Sequence, residues 1–144
     1  MHSTKLSLVK FNRELFPVLQ EWFSKWNWTE CDLESIPEES YFVEREGNLI
    51  AFSCFLKTDC NLAIMGITIT DPEAKGKSEA IDWLLGQLFS RATELGYKYI
   101  HYYTDSKPMV DRMQSKHDFL VTDNASAYIL LKSLGGKNID FFDE

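Results

Sequence analysis

Lys75-Gly76-Lys77-Ser78-Glu79-Ala80 brings two ammonium groups, a glycine and two small side chains into six residues. A strand-like alternation stops just before it at Asp71-Pro72, and a helical pattern starts just after. Backbone amides at such a strand-to-helix turn, backed by the helix dipole, can hold a phosphate. The plainer reading of the same residues is a polar first turn with a solvated charged face. Few other residues are arranged for chemistry. Cys31, Cys54 and Cys60 are widely spaced, so no zinc cluster is expected, and Cys54 and Cys60 have no visible base to make a thiol nucleophile. His101 lies in an apolar run and reads as a core histidine, His117 as a surface one, and His2 as part of a disordered end.

The elements that would position this loop follow from periodicity. Lys5 to Phe11 alternates as a first strand, and Asn12 can cap the helix after it. Leu15, Val18, Leu19, Trp22, Phe23 and Trp26 recur at helical spacing. Asn27 to Ser40 reads as a loop with a short helix from Asp32, in which Glu38 and Glu39 are expected to be solvated. Tyr41 to Arg45 and Leu49 to Leu56 flank Glu46-Gly47-Asn48, a hairpin signal. Leu62 to Thr70 completes an antiparallel meander. Its Gly66 implies a bulge or a close approach of another chain segment. The longest helix starts at Glu73 or Ser78 and ends at Leu95, before Gly96; Ala80, Ile81, Leu84, Leu85, Leu88, Ala92 and Leu95 form its apolar stripe. Tyr97 to Thr104 is a buried strand. A helix with Pro108 in its first turn follows, then a hairpin of Phe119–Thr122 and Ala127–Leu131. A strand–helix–strand crossover here implies that the two strands are parallel. The expected fold is α/β: a single domain over residues 1–134, with a mixed, mostly antiparallel sheet flanked by helices. Residues 135–144 form an acidic aromatic tail, either a frayed end or a segment that docks on its own domain or on a second copy.

Composition sets bounds. The chain has 144 residues, a net charge of -7, 44% hydrophobic and 14% aromatic residues. That length buries about two-thirds of the unfolded surface, enough for one core without staples. The acidic balance argues against nonspecific nucleic-acid binding. No apolar run approaches a membrane span, and the beginning "MHSTKLSLVKFNREL" has no apolar leader core. The sparse, odd cysteine set suits a reducing compartment. A cytoplasmic location is expected, which is the host cytoplasm if the source is a virus.

With the elements in order, "DPEAKGKSEAIDWLL" resembles the coenzyme A loop, "P-x-x-R-G-x-G-x-G-x-x-L-L", of the GNAT superfamily of acyl-CoA N-acyltransferases. The resemblance covers residues 5 to about 134. Lys75 matches the basic position, Ser78 a required glycine and Ala80 the final small residue, with Gly76 and Lys77 between. "QSKHDFLV" looks like the family's "Y-x-x-x-G-F", with Asp118 at the glycine and Gln114 at the tyrosine. The chain also looks like short GNAT-like proteins of tailed phages and bacteria.

The resemblance implies acetyl-CoA as cosubstrate and a small-molecule or protein amine as acceptor. The pyrophosphate would lie on Lys75, Gly76, Lys77, Ser78 and Ala80, with Asp105 beside the coenzyme. Main-chain groups around Ile67 and Ile69 would hold the pantetheine, where a bulge at Gly66 would splay the strands. The region of Trp26, Trp28 and Asp32 would border the acceptor, the alternative for the tryptophans being core packing. Leu62 to Thr70 has no Asp, Glu or His, so Asp59, Asp71 or a water would be the base. Tyr103, or its neighbours Tyr102 and His101, would stand in for the missing acid at Gln114. Ser78 and Glu79 crowd the loop and add a negative charge. The competing expectation is therefore a GNAT fold that binds a partner, such as host machinery, without chemistry.

Overall fold

A computed structural model describes residues 5–123 and 128–134. The tail from 135 lies outside them, as do His2 and residues 124–127, where the second hairpin's connection was expected. The strands are β1 (Leu6–Lys10), β2 (Glu39–Arg45), β3 (Asn48–Leu56), β4 (Leu62–Thr70), β5 (Tyr99–Thr104), β6 (Leu120–Asp123) and β7 (Tyr128–Ser133). The α-helices are α1 (Phe16–Trp26), α2 (Lys77–Glu94) and α3 (Lys107–His117). Short 3-10 turns cover Arg13–Leu15 and Leu33–Ser35. Among the described residues the seven strands form one sheet in the order β1-β2-β3-β4-β5-β7-β6. β4 and β5 are parallel, pairing Leu62, Ala63 and Ile64 with Tyr99, Ile100 and His101, while β1–β2, β2–β3, β5–β7 and β6–β7 are antiparallel. The mixed, mostly antiparallel sheet is as the periodicity implied.

Contacts group the chain into two compact units: residues up to Leu56 with Gly66–Gln87, and Lys57–Met65 with the residues from Leu88 on. In the first unit, Leu19, Trp22 and Phe23 of α1 pack on Phe42, Phe52, Cys54 and Ile69. Trp22 meets Phe42 edge-on at 5.6 Å, and Phe42 meets Phe52 at 5.1 Å. Ala80 and Leu84 of α2 pack on Val43, Ile50 and Ala51. The Asn12 side chain accepts from the Glu14 amide at 2.9 Å and starts the segment that leads into α1. In the second unit, Phe89 contacts both His117 and Phe119 at 5.6 Å.

Several side chains differ from expectation. His117 is buried rather than on the surface, because the last turn of α3 leans its ring against Phe89. Glu39 is 2% exposed rather than solvated, and its carboxylate accepts from the Tyr41 hydroxyl at 2.9 Å. Leu95 ends the apolar stripe 39% exposed, as the helix stops at Glu94. Gly66 makes a close approach: a Cβ there would lie 2.4 Å from the Cys54 sulfur.

Candidate functional site

The hairpin between β2 and β3 turns through Glu46 and Gly47, both at positive φ, so that Arg45 pairs with Asn48. Between Val43 and Glu44 the register shifts, with Val43 opposite Ala51 and Glu44 opposite Leu49. Ile50 is the extra residue. Such a bulge re-aims the side chains that follow it. Its own carbonyl accepts from the Asp71 amide at 2.8 Å, which anchors the start of the loop between β4 and α2.

That loop is tightly tied. Asp71, half-buried, accepts from the Glu73 amide at 2.9 Å through its carboxylate and from the Ala74 amide at 3.2 Å through its carbonyl. Gly76 has φ 67°, which favours glycine. The Ala80 amide returns to the Gly76 carbonyl at 3.2 Å, closing the first turn of α2. Lys77 donates to the Pro72 carbonyl at 2.9 Å and lies 5.5 Å over the Trp26 ring. Trp26 donates its indole N–H to the Thr70 carbonyl at 2.7 Å, and Trp28 lies 6.2 Å from it. Lys25 pairs with Glu21 at 3.1 Å and with Glu73 at 3.4 Å, and these contacts, with Glu21 the larger, raise its pKa.

Arg45 is the residue that sequence reasoning did not find. Its guanidinium donates to the Glu79 carboxylate at 2.6 Å and to the Lys75 carbonyl at 3.4 Å. A Cβ on Gly76 would lie 2.6 Å from Arg45 Nη1. Three cations, Arg45, Lys75 and Lys77, thus gather at the start of α2. Beside them opens a groove of about 610 Å³ lined by Val18, Trp22, Leu49 and Ile50 with Arg45, Asp71 and Lys75.

The loop therefore brings together Lys75, Gly76, Lys77, Ser78 and Ala80, with Asp71 at its start and Trp26 against it. Ala80 is fully buried, and Lys75 and Ser78 are exposed. On β4, Ile67 is 37% exposed and Ile69 is buried. Trp28 is 45% exposed and Asp32 is exposed at the start of a 3-10 turn, so both remain surface groups. Asp59 lies exposed in the turn before β4, and β4 separates it in the chain from Asp71. In the second unit, Tyr103 is 64% exposed, whereas Tyr102 is buried and burial raises its pKa. Burial lowers the pKa of half-buried His101. Asp105 is exposed; the cap of α3 is Ser106, whose hydroxyl accepts from the Met109 amide at 3.4 Å. Among the described residues no group of His, Cys, Asp and Glu side chains is placed to hold a metal, and no helix is long and apolar enough to cross a membrane.

The arrangement of a meander, a loop, a long crossover helix and a parallel strand has clear counterparts among solved structures. N-acetylglutamate synthase from Neisseria gonorrhoeae, crystallised with coenzyme A and L-arginine, superposes with TM-score 0.75 at 13% identity over 92% of this chain and 34% of its own. A GNAT-family acetyltransferase from Staphylococcus aureus gives TM-score 0.71 at 13% identity, over 90% of this chain and 99% of its own. The ribosomal-protein-S18-alanine N-acetyltransferase from Escherichia coli gives 0.67 at 13% identity, over 94% and 99%. The chain thus has the GNAT acyl-CoA N-acyltransferase fold, as its motifs implied. It spans about a third of the synthase and nearly all of the two smaller enzymes. No protein-family model and no curated protein sequence matches it.

Proposed function

We infer that the protein is an acyl-CoA-dependent N-acyltransferase that transfers an acetyl group to an amine. The observation that carries this reading is the β4–loop–α2 unit, in which Gly76 at φ 67° opens a turn at the helix start beside Lys75 and Arg45. This donor set suits a diphosphate: backbone amides at a helix start, a glycine that permits close approach, and the Arg45 guanidinium held beside them. Acyl-CoA supplies the activated thioester. Lys75, Gly76, Lys77, Ser78 and Ala80 form the loop for its pyrophosphate. Main-chain groups near Ile67 and Ile69 are assigned to the pantetheine.

The acceptor nitrogen attacks the thioester carbonyl directly, the C–N bond forms, the C–S bond breaks, and the nitrogen proton leaves to a base. Asp71, beside the loop, serves as that base directly or through a water, and Asp59 is the other candidate. Tyr103, an exposed tyrosine, returns a proton to the departing thiolate. Trp26, Trp28 and Asp32 form an aromatic and acidic wall, suited to a cationic amine. Asp105 is assigned to the coenzyme side. The setting is the cytoplasm. The acceptor is a small molecule or a protein, as in the amino-acid and ribosomal-protein chemistries named for the structural counterparts.

A second reading is favoured by the Glu79 carboxylate at 2.6 Å from Arg45, which places negative charge where the anion would lie. In that reading the fold binds a partner and transfers nothing. Thermal unfolding with acetyl-CoA, followed by thiol release with a panel of amines, separates the two. Saturation a hundredfold above Kd adds about 2.7 kcal/mol of stability. A stabilisation that Ser78→Glu abolishes, with thiol release, supports the transferase. Stabilisation without release on any amine supports the binding module. No stabilisation at millimolar acetyl-CoA removes the transferase reading.

A further inference from the structure

We propose that Arg45 is the side chain that grips the diphosphate at this loop, and that Glu79 is an internal carboxylate which the ligand must displace. The inference rests on the acyl-CoA reading and specifies its anion site. Arg45 comes from β2, thirty residues before Lys75, and the bulge at Val43/Glu44 aims it across the loop. Its Nη1 takes the space over Gly76 that any larger residue would fill with a Cβ. The glycine cradle therefore faces a cation. Its Nη2 is held by Glu79 at 2.6 Å, the length of a charge-assisted bond.

Each partner's exposure fixes its role. The Arg45 side chain is 18% exposed and Glu79 is 74% exposed. Arg45 is fixed by its setting, whereas Glu79 can swing into water, and an ion pair with a solvated partner is held only weakly. A phosphate offers the same planar pair of oxygens to a guanidinium fork as a carboxylate does. Lys77 is turned away onto Pro72 and Trp26, so Arg45 supplies the charge that Lys77 does not. Ser78 occupies a position where the related motif has glycine, and a long side chain reaching in from β2 offsets the lost backbone approach.

Calorimetric titration of coenzyme A, with inorganic pyrophosphate as the second probe, tests this on the whole chain and on Arg45→Gln, Arg45→Lys and Glu79→Gln. Thermal unfolding of each variant checks that it folds. Arg45→Gln should weaken coenzyme A about tenfold or more, the loss of a hydrogen bond to a charged group. Arg45→Lys should fall between, since it keeps the charge and loses the fork. Glu79→Gln should tighten both probes about threefold at low salt. Binding to Glu79→Gln where the unaltered protein shows none supports the proposal even more directly. Arg45→Gln binding as well as the unaltered protein, or better, overturns it, since the guanidinium is then a plug. Unchanged or weaker binding by Glu79→Gln overturns it too. In those two cases the acyl-CoA reading survives; absence of coenzyme A binding from every form removes both.

Discussion

The Trp26 indole N–H and the Thr70 carbonyl, 2.7 Å apart, join the end of α1 to the end of β4. The bond matters because the loop begins one residue later, at Asp71, and because Lys77 returns over the same indole at 5.5 Å. Trp26 is 39% exposed, so its contribution is more to geometry than to core burial. Trp26→Phe keeps a ring for Lys77 but removes the donor. It should cost about 1 kcal/mol, the usual net value of one hydrogen bond, read as a lower urea midpoint with unchanged slope. Trp26→Ala should cost more, because it also removes the ring that Lys77 lies over. An unchanged midpoint in Trp26→Phe would show that the bond fixes nothing.

Gly66 and Cys54 make a second coupled pair. A Cβ at Gly66 would stand 2.4 Å from the Cys54 sulfur, which is buried and cannot move far. Gly66→Ala should therefore destabilise by about 1–3 kcal/mol, the range for overpacking a filled core. Cys54→Ala alone also destabilises, by leaving a small void. The double variant should be more stable than the sum of the two single losses predicts, because the new methyl enters the space the sulfur left. Additive losses in urea denaturation would refute the contact.

The same pairs show what a single sequence can and cannot disclose. β4 was legible residue for residue, Leu62 to Thr70, because an apolar run between two turn signals has a period of its own. α2 was legible from its stripe, and its start at Lys77 fell between the two starts expected. Asp71, Lys75 and Gly76 could be placed together because they are neighbours in the chain. Arg45 could not. Nothing in "FVEREGN" marks it as a loop residue, and its aim depends on a one-residue register shift at Val43/Glu44 that no periodicity announces. For Glu39 and His117 residue type suggested water, while the pairing of Glu39 with Phe55 across β2 and β3 and the packing of His117 on Phe89 go with their burial.

Asp118 tests the resemblance at its second motif. It stands where the related pattern has glycine, and it has φ 59° at the end of α3. The Phe119 amide there reaches back to the Met113 carbonyl at 3.1 Å. Aspartate tolerates this left-handed geometry better than most residues, but at a cost that glycine avoids. Asp118→Gly should be neutral or stabilising by up to about 1 kcal/mol, whereas Asp118→Val should destabilise by about 1–2 kcal/mol. Thermal unfolding of the pair, compared at one pH, reads both. Equal midpoints for the Gly and Val variants would show that the backbone relaxes and that the motif's glycine has no conformational role here.

Cys54 carries a pH dependence whose sign follows from its burial. Removal from water pushes its thiol up from 9.0 to about 11, against a smaller opposing pull from its contact with the Ile67 carbonyl. Below pH 9 the folded and unfolded chains both hold the proton, and the thiol contributes no slope. Above it the unfolded chain releases the proton first, so the unfolded state binds fewer protons and stability falls as pH rises. The loss should accumulate between 9.0 and about 11. It should amount to about 3 kcal/mol over that whole window, because each tenfold difference in proton affinity between the two states is worth about 1.4 kcal/mol. The buried Tyr102 hydroxyl, also pushed up by burial, adds an alkaline loss of its own, so the measurement is a difference. Urea midpoints of the unaltered protein and of Cys54→Ala, followed from pH 7 to 10.5, should converge as pH rises, because only the former loses the thiol contribution. Parallel curves would mean that Cys54 ionises as readily folded as unfolded, and would overturn the argument from its burial.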